Sequence, residues 1–393
     1  MTKLIKLSEL AWFQEGPGVR NYQYTNHGVK LINVSNLGGK FLNLSNTDRY
    51  ISEQEATTKY NHFLCDDGDL VIATSGISEK SIREKVSFVR NKDLPLCMNT
   101  SVVRFKALNK ERLNIDFLYY FFKSDYYKEQ ISRLMTGIAQ LNYGPSHLSK
   151  IYVNDYSLIE QNKIVDEMNK ISNAISFTQK KMRSFDELIK SRFIEMFGDV
   201  TVESNNTIKL GSICKTMGGG TPTTKKPEYY KGSIPWISTV SLGPNYIDGS
   251  DAKGFITEDA INNSATKLIP AYSIMVGTRV GVGKCSVNTV PICTNQDINS
   301  ITGLDFQKYV PLFIKYVVDA YQPYFDTIKK GATILGINSN DLKNINVPKA
   351  SISIQKEFVS FVEQIDKSKL ICQKQLDLLN DLFNKKLDEY FGG

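Results

Sequence analysis

Two stretches of the chain carry apolar residues at alternating spacings of four and three, which is the heptad pattern of coiled-coil helices. In the first stretch these positions are Ile164, Met168, Ile171, Ile175, Met182, Phe185, Ile189 and Met196. In the second stretch they are Phe358, Val362, Ile365, Leu376, Leu379, Phe383 and Tyr390. The pattern predicts two amphipathic helices, in residues 157–199 and 351–393, each a rod of roughly 60 Å at about 1.5 Å per residue.

The remaining sequence has a different pattern, with short β-branched runs between turn signals. Such runs occur at 31–34, 69–73, 86–89 and 101–105, and again at 234–240, 273–276 and 298–301. A helix is predicted after each set, at Ile115 to Leu134 and at Val310 to Lys329. We therefore expect two modules of the α+β class, residues 1–156 and 200–350, each with a curved sheet and long loops.

The chain repeats itself. Residues 137–198 align without a gap to residues 331–392, at an offset of 194, and 15 of the 62 paired positions are identical. A repeat with a period of 194 residues corresponds to a whole domain, so the chain is a tandem duplication of one module and one helix. The less apolar seam positions are Thr178 and Cys372, and the charged ones are Arg192 and Lys386. Each pair falls at equal depth in the two helices, which suits two helices packed antiparallel or against equivalent partners.

Composition narrows the class of protein. The sequence is 41% hydrophobic and 23% charged, without an apolar run of membrane-spanning length or a visible signal peptide, so we expect a soluble, cytoplasmic protein without a membrane partner. The six cysteines form no C-x-x-C pair and the three histidines are scattered, which favours buried thiols over a metal site or disulfides. The net charge of +7 is a mild indication of a polyanionic partner.

No motif in the sequence indicates catalysis. There is no Asn-Pro-Pro-Tyr or Asp-Pro-Pro-Tyr run of the kind that adenine methyltransferases use, and carboxylates show no nuclease or hydrolase spacing. The segment from Gly277 to Cys285 resembles a phosphate-binding loop, but its first glycine is misplaced and Cys285 stands where Ser or Thr is needed. A hairpin loop is the better interpretation there and in the matching segment from Thr74 to Lys80. We expect a protein without catalytic residues.

Several segments together resemble a known family. Three segments follow one another in the second copy: Gly218-Gly219-Gly220-Thr221-Pro222, Pro227-Glu228-Tyr229-Tyr230 and Ile234-Pro235-Trp236-Ile237-Ser238. Together they look like the opening of a target-recognition domain in specificity subunits of type I restriction-modification systems. Gly16-Pro17-Gly18-Val19-Arg20, followed by Gly28-Val29-Lys30-Leu31-Ile32, looks like the family's other common opening. The approaches to the two helices, with Glu160-Gln161 and Gln355-Lys356-Glu357, resemble the entries to the family's spacer helices.

The resemblance implies a function. In that family each of the two target-recognition domains reads one half of a bipartite, asymmetric DNA site, and the helices set the gap between the halves. It implies as partners double-stranded DNA, two modification subunits and, in the full complex, two restriction subunits that act as motor and nuclease. It also implies that this chain binds no cofactor, since S-adenosylmethionine, ATP and Mg are expected on the partner subunits. Half-sites about one helical turn apart would suit two modules on a rod.

Candidate contacts follow from loop position and donor chemistry, because Arg and Lys suit guanine edges and phosphates while Asn and Gln suit adenine edges. The candidates for DNA binding in the first copy are Arg20, Asn21, Ser75, Lys80, Arg83, Gln140, Asn142 and Tyr143. In the second copy they are Thr221, Lys225, Lys226, Arg279, Lys284, Asn295 and Gln296. The candidates for docking the modification subunits are Phe193, Ile194, Phe197, Leu387 and Phe391. For the docking residues the alternative is burial inside the coiled coil.

Other interpretations stay open at this point. A scaffold of two β-rich modules on a coiled coil could bind protein partners without reading DNA, and a self-sufficient enzyme could methylate or cut DNA. The aromatic helix from Phe117 to Tyr127 could form a base-stacking platform, although core packing is favoured because its tyrosines lie on a helix. Loops that differ between the copies favour DNA recognition over the scaffold, and the missing motifs count against the enzyme.

Overall fold

The computed structural model describes residues 3–45, 47–135, 142–331 and 335–392. The chain folds as two compact units, one made of Met1–Gln179 with Gln373–Gly393 and the other of Lys180–Cys372. We refer to them as the first and the second unit. Each unit therefore combines one predicted module with the first half of the helix that follows it and the second half of the other long helix.

The first unit contains nine strands in its described residues. They are β1 (Leu4–Lys6), β2 (Ala11–Glu15), β3 (Val29–Ile32), β4 (Tyr50–Ile51), β5 (Leu70–Ala73), β6 (Val86–Phe88), β7 (Leu96–Met98), β8 (Val102–Ala107) and β9 (Tyr152–Asn154). They form a four-stranded sheet in the order β2-β8-β5-β6, a three-stranded sheet β4-β3-β7 and the pair β1-β9. All pairings are antiparallel except that of β3 with β7.

Six α-helices begin in the described residues of the first unit. They are α1 (Leu7–Leu10), α2 (Glu53–Thr57), α3 (Ile115–Phe121), α4 (Asp125–Leu134), α5 (Pro145–Leu148) and the long α6 (Leu158–Phe197). The prediction of one helix from Ile115 to Leu134 is wrong, because Ser124 starts a new helix there. Its hydroxyl accepts a hydrogen bond from the backbone N–H of Tyr127 at 3.1 Å, which is an N-cap.

The second unit repeats the arrangement. Its described strands are β10 (Thr207–Lys209), β11 (Lys215–Gly218), β12 (Ile234–Ile237), β13 (Tyr246–Ile247), β14 (Gly254–Ile256), β15 (Leu268–Ile269), β16 (Ile274–Gly277), β17 (Cys285–Asn288), β18 (Ile292–Thr294), β19 (Ile298–Thr302) and β20 (Asn346–Pro348). They form the sheets β11-β19-β16-β17-β13 and β14-β12-β18-β15 and the pair β10-β20. The sheet orders match those of the first unit apart from the added edge strands β13 and β15, which confirms the duplication and the α+β class.

The helices that complete the second unit are α7 (Glu258–Asn262), α8 (Pro311–Ala320), α9 (Gln322–Ile328), α10 (Ser339–Lys343) and the long α11 (Ile352–Phe391). Here too the predicted single helix from Val310 to Lys329 is two helices. Pro323 lies in the first turn of α9, where its missing N–H costs little, whereas within a continuous helix it would break the hydrogen-bond ladder.

Both long helices have defined ends inside the predicted segments. Ser157 and Glu160 form a capping box at the start of α6, since Glu160 Oε2 accepts hydrogen bonds from the Ser157 N–H at 2.8 Å and from its hydroxyl at 2.7 Å. After α6, Gly198 adopts a left-handed φ of 74°, and its N–H donates to the Ile194 carbonyl at 2.8 Å. A glycine in the left-handed conformation is a common way to end a helix.

An identical glutamine fastens each long helix to its module. In the first unit Gln161 Nε2 donates to the carbonyl oxygens of Arg112 and Tyr156 at 3.1 and 3.0 Å, while its Oε1 accepts from the Asn114 N–H at 3.0 Å. In the second unit Gln355 makes the equivalent three bonds, each at 2.9 Å, to Lys308, Ala350 and Val310. Both side chains are buried, so three backbone groups per unit depend on one side chain.

Within each unit the two long helices run antiparallel. In the second unit Asp186 pairs with Lys369 at 2.5 Å and Arg192 pairs with Glu357 at 2.9 Å, so the partner number falls as the residue number rises. In the first unit the Tyr156 hydroxyl donates to the Tyr390 carbonyl at 3.1 Å, and Glu167 pairs with Lys386 at 3.0 Å. The antiparallel prediction is confirmed.

A group of aromatic residues lies in the core of the first unit. In the first unit Phe117, Phe121, Phe122 and Tyr127 are buried in α3, α4 and the turn between them, so core packing of the aromatic helix is confirmed over base stacking. All six cysteines are free thiols. Within the described residues, no helix combines the length and the apolar composition that crossing a membrane requires.

Candidate nucleic-acid interface

Backbone hydrogen bonds join several loops of the second unit where β11, β16 and β18 end. The N–H of Gly220 donates to the Thr294 carbonyl at 2.8 Å, and that of Thr278 donates to Asp297 at 2.8 Å. The Ile337 N–H in turn donates to the Thr278 carbonyl at 2.8 Å. We call residues 219–226, 278–284, 295–298 and 335–338 the second loop cluster.

Two glycines allow this close packing. A Cβ added to Gly219 would lie 2.1 Å from Thr294 Oγ1 and 2.2 Å from the Asn295 carbonyl oxygen. A Cβ on Gly220 would lie 2.5 Å from the backbone nitrogen of Thr266. The glycine-rich motif is therefore required for backbone contact between loops, since no other residue fits at these two positions.

The first unit has an equivalent cluster. The Gly16 N–H donates to the Val102 carbonyl at 3.0 Å, and a Cβ on Gly16 would lie 2.2 Å from the Asn99 carbonyl oxygen. The N–H of Tyr143 donates to the Thr74 carbonyl at 2.9 Å. We call residues 16–24, 74–80, 99–101 and 142–144 the first loop cluster, which repeats the frame of the second one.

The side chains on this frame differ between the units. In the first unit Asn99 Nδ2 donates to Asn33 Oδ1 at 2.9 Å. In the second unit the equivalent positions are Asn295 and Ser238, and Asn295 Nδ2 donates instead to Asp297 Oδ2 at 3.1 Å. The Ser238 hydroxyl is buried without a hydrogen-bond partner among the described residues. One backbone frame is therefore held together by different internal hydrogen bonds in the two units.

The second loop cluster gathers all the candidate DNA contacts of its unit. Thr221, Lys225, Lys226, Lys284 and Gln296 are exposed, and the Thr221 hydroxyl donates to Gln296 Oε1. Arg279 is 53% exposed, with its guanidinium 3.8 Å from an Asp297 carboxylate oxygen. Asn295 is the exception, because it is buried and closes a turn with Asp297 rather than presenting its amide. Its prediction as a base contact is corrected on that ground.

Lys226 is held in place by an aromatic neighbour. Its ammonium donates to the Tyr229 hydroxyl at 3.0 Å and lies 4.9 Å from the centre of that ring. The hydrogen bond to Tyr229 raises the pKa of Lys226 above its ordinary value, so the side chain stays positively charged. A fixed, exposed cation at a loop cluster suits contact with a phosphate.

In the first unit the candidates other than Tyr143 divide into three groups. Arg20, Asn21, Lys80 and Asn142 are exposed and Ser75 is half-buried, all within the first loop cluster. Arg83 lies outside the cluster and pairs with Asp125 at 2.9 Å, which occupies its guanidinium. Gln140 lies outside the described residues.

Tyr143 was predicted as a DNA contact and is instead a core residue. It is buried, its hydroxyl donates to the Ala73 carbonyl at 2.9 Å, and it accepts a hydrogen bond from the Tyr127 hydroxyl at 3.0 Å. Burial raises the pKa of Tyr143 above its usual range. The side chain therefore supports the loop from below and does not face a ligand.

The segment that resembled a phosphate loop is a hairpin. β16 pairs antiparallel with β17, and the Gly277 N–H donates to the Lys284 carbonyl at 2.9 Å across the turn. The equivalent strands β5 and β6 of the first unit also pair antiparallel. Both hairpin predictions are confirmed, and Lys284 belongs to the hairpin turn.

The predicted docking residues are mostly internal. Phe193 is buried against Phe358, with ring centres 5.5 Å apart, and Phe197 is half-buried against the same ring. Leu387 and Phe391 are buried in the first unit, where Phe391 packs on Phe117 at 5.0 Å. For these four residues the expectation of an accessible docking surface is corrected. Ile194, which is exposed, keeps that role as a candidate.

Other apolar positions on the long helices are exposed instead. Phe177 in the first unit is 70% exposed, and its repeat equivalent in the second unit, Ile371, is 67% exposed. Leu382 and its equivalent Leu188 are exposed as well. We call these four residues the exposed helix set. The sequence signal for them is an apolar residue that lies off the heptad seam in both copies.

Among the described residues, no group of three or more His, Cys, Asp and Glu side chains could hold a metal ion.

Comparison with known proteins gives a consistent result. The family described as the type I restriction modification DNA specificity domain matches twice, at residues 4–184 and 203–380. The specificity subunit of the type I restriction enzyme EcoR124I/EcoR124II of Escherichia coli is 32% identical over 167 residues, which are 40% of this chain and 40% of that protein. The MjaIX specificity subunit of Methanocaldococcus jannaschii is 26% identical over 184 residues, 47% of this chain and 43% of that protein.

The matched segments thus span less than half the length of these relatives. In a solved structure concerned with complex assembly and conformational transition of the type I R-M system, one chain is similar in fold with a TM-score of 0.61. That likeness covers 100% of this chain and 97% of the other at 14% identity. It extends the agreement in fold over both units.

Proposed function

Because the chain belongs to the family of type I restriction modification DNA specificity domains, which matches it twice along its length, we propose that it is the DNA sequence-specificity subunit of a type I restriction-modification complex. Each unit reads one half of a bipartite, asymmetric site. The observation that carries this proposal is the repeated loop cluster, in which one backbone frame exposes different polar side chains in the two units: Arg20, Asn21 and Lys80 in the first, and Thr221, Lys225 and Gln296 in the second.

The chemistry of the exposed loop residues supports DNA as the ligand. Arg20 and Arg279 suit guanine edges or phosphates, and Asn142 and Gln296 suit adenine edges. The net charge of +7 favours association with a polyanion. Because the target is genomic DNA, the proposed location is the cytoplasm.

The exposed helix set supports a second part of the proposal, the docking of modification subunits. Phe177, Ile371, Leu188 and Leu382 expose apolar side chains on the long helices at two pairs of equivalent repeat positions. Equivalent sites on a duplicated chain suit two copies of one partner. Burial of exposed apolar area would drive that association.

In this proposal the chain itself catalyses nothing. S-adenosylmethionine belongs to the two modification subunits, and ATP and Mg belong to the two restriction subunits that join the complex. The chain contributes the choice of sequence.

A map of methylated adenines in the genome, with and without this gene, tests the proposal. We expect one bipartite motif to lose its methylation on deletion and to regain it when the gene is restored. The motif would give both half-sites and the gap together. An unchanged map in a strain where the modification subunit is active would contradict the proposal.

A further inference from the structure

Two aromatic side chains of the second unit hold the loop that carries Thr221. The indole N–H of Trp236 donates to the Gly220 carbonyl at 3.2 Å, and the Tyr230 hydroxyl donates to the Pro222 carbonyl at 2.6 Å. The two rings stand at 88° to each other with centres 6.4 Å apart. Both carbonyls are therefore fixed on either side of Thr221, which is the exposed residue between them.

The backbone of the same loop is fixed from the other side. The N–H groups of Gly219 and Gly220 donate to the carbonyls of Ile298 and Thr294 at 3.1 and 2.8 Å. Four hydrogen bonds thus restrain residues 219–222. Only the Thr221 side chain projects, and its hydroxyl donates to the exposed Gln296.

A single glutamine restrains the corresponding loop of the first unit. Gln23 is buried, and its Oε1 accepts from the Arg20 N–H at 3.0 Å. Its Nε2 donates to Glu55 Oε1 at 2.7 Å and to the Tyr60 hydroxyl at 2.9 Å. The residues between Arg20 and Gln23 are exposed, and Tyr22 reaches 85% exposure.

We propose that Trp236 and Tyr230 in the second unit, and Gln23 in the first, are positioning residues for DNA readout. They do not touch DNA but fix the loops that do, so each sets the base preference of one half-site. This inference rests on the proposed function. Its physical basis is that a loop ordered before binding does not lose conformational entropy on binding, and that it holds its donors in one geometry.

The test uses the full chain in complex with its modification subunits. Duplexes are selected from a library randomised over the whole site, and base preference is scored separately for each half-site. Trp236→Phe and Tyr230→Phe keep a ring but remove the donor, and Gln23→Met keeps the length but removes the amide. Matched controls are Tyr321→Phe and Gln161→Met, which remove hydrogen bonds of the module cores outside the loop clusters.

We expect Trp236→Phe and Tyr230→Phe to weaken discrimination in one half-site by about threefold to tenfold, the range for loss of one hydrogen bond. Gln23→Met should weaken discrimination in the other half-site only. The controls should leave both preferences unchanged. Wild-type preferences in all three variants, or equal losses in both half-sites, would overturn the inference.

A second measurement does not depend on DNA. Lys225 and Arg20 are exposed in the restrained loops. The rate at which trypsin cuts after them therefore depends on the fraction of time that each loop is open. The rate of cleavage after Lys225 should rise about threefold to tenfold in Trp236→Phe, and that after Arg20 in Gln23→Met. Unchanged cleavage rates would overturn the restraint itself. If the wild-type complex selects no bipartite sequence while cleavage rises as expected, the proposed function fails and the restraint of the loops stands.

Discussion

Gly219 packs directly on Asn295, so that a Cβ on Gly219 would lie 2.2 Å from the Asn295 carbonyl oxygen. Gly16 and Asn99 have the same relationship in the first unit, with the same distance of 2.2 Å. In each unit the loop after the edge strand, β2 or β11, crosses the backbone of a second loop. That second loop follows β7 or β18, the strand that pairs in parallel with its neighbour. The two loops can therefore move only together.

Gly219→Ala should disrupt this crossing. The added methyl group meets backbone atoms, which cannot rotate away, so the loop must shift at a cost of roughly 1–3 kcal/mol. We expect weaker DNA binding and a lower free energy of unfolding, measured by titration with the selected duplex and by urea denaturation. Gly218→Ala is the matched control, because nothing lies within 4 Å of a Cβ at that position.

The same comparison can be made in the first unit with Gly16→Ala and Gly18→Ala, since a Cβ on Gly18 also meets nothing within 4 Å. If the alanine at the crowded position behaves like its control in both units, the close approach has no energetic significance.

The buried position of Leu387 leads to a second prediction. Leu387→Ala should lower the free energy of unfolding by about 2–5 kcal/mol, because the truncated side chain leaves a cavity in the core of the first unit. Leu382→Ala on the same helix makes the same chemical change at an exposed site and should stay within roughly 0.5 kcal/mol of wild type. Urea denaturation of the two variants side by side is the measurement, and equal effects would refute the assignment of Leu387 to the core.

The exposed helix set gives a third prediction, for partner binding. The double variant Phe177→Asp with Ile371→Asp should fold normally, because both side chains are exposed, and should lose co-purification of the modification subunits. Ile159→Asp is the control. Ile159 is equally exposed at 70%, but its repeat equivalent is the polar Ser353, so it lies outside the repeated set. Full co-purification of the double variant would refute docking at these positions.

The repeated architecture could be predicted from the sequence. A duplication gives the length of the repeat and pairs each residue of one copy with a residue of the other. Gln161 and Gln355 were visible as an identical pair, and the structure gives them the same three hydrogen bonds. The glycine stop after α6 and the hairpins were predictable as well, since they depend on local backbone chemistry.

What the sequence could not predict depends on packing across the chain. The apolar residues Phe193 and Leu387 beside the heptad seam indicate an apolar neighbour, but not that a module covers them rather than a partner. Tyr143 could not be placed in the core from the sequence either, because it lies in a loop. Its burial against Thr74 and Ala73 depends on the fold. Trp236 and Tyr230 were seen as motif residues, whereas their hydrogen bonds to the loop appear only once the fold brings them together.

Lys123 gives a prediction for pH. It is partly buried in the first unit, with its ammonium 5.0 Å from the centre of the Tyr119 ring. Loss of hydration lowers the pKa of Lys123 from 10.5 to about 8, against the opposing effect of Glu84. Between these two values the unfolded chain binds more protons at this site than the folded one, so this site makes the first unit more stable as the pH rises from about 8 to 10.5.

Lys123→Met should remove that slope, because methionine fills similar space without a charge to dehydrate. Below pH 8 the variant should also be more stable than wild type, since the cost of burying the charged form is gone. The measurement is the free energy of unfolding at several pH values from about 7 to 10.5. Lys110→Met, at an exposed position, should keep the wild-type slope. A slope that persists in Lys123→Met would assign it to another group.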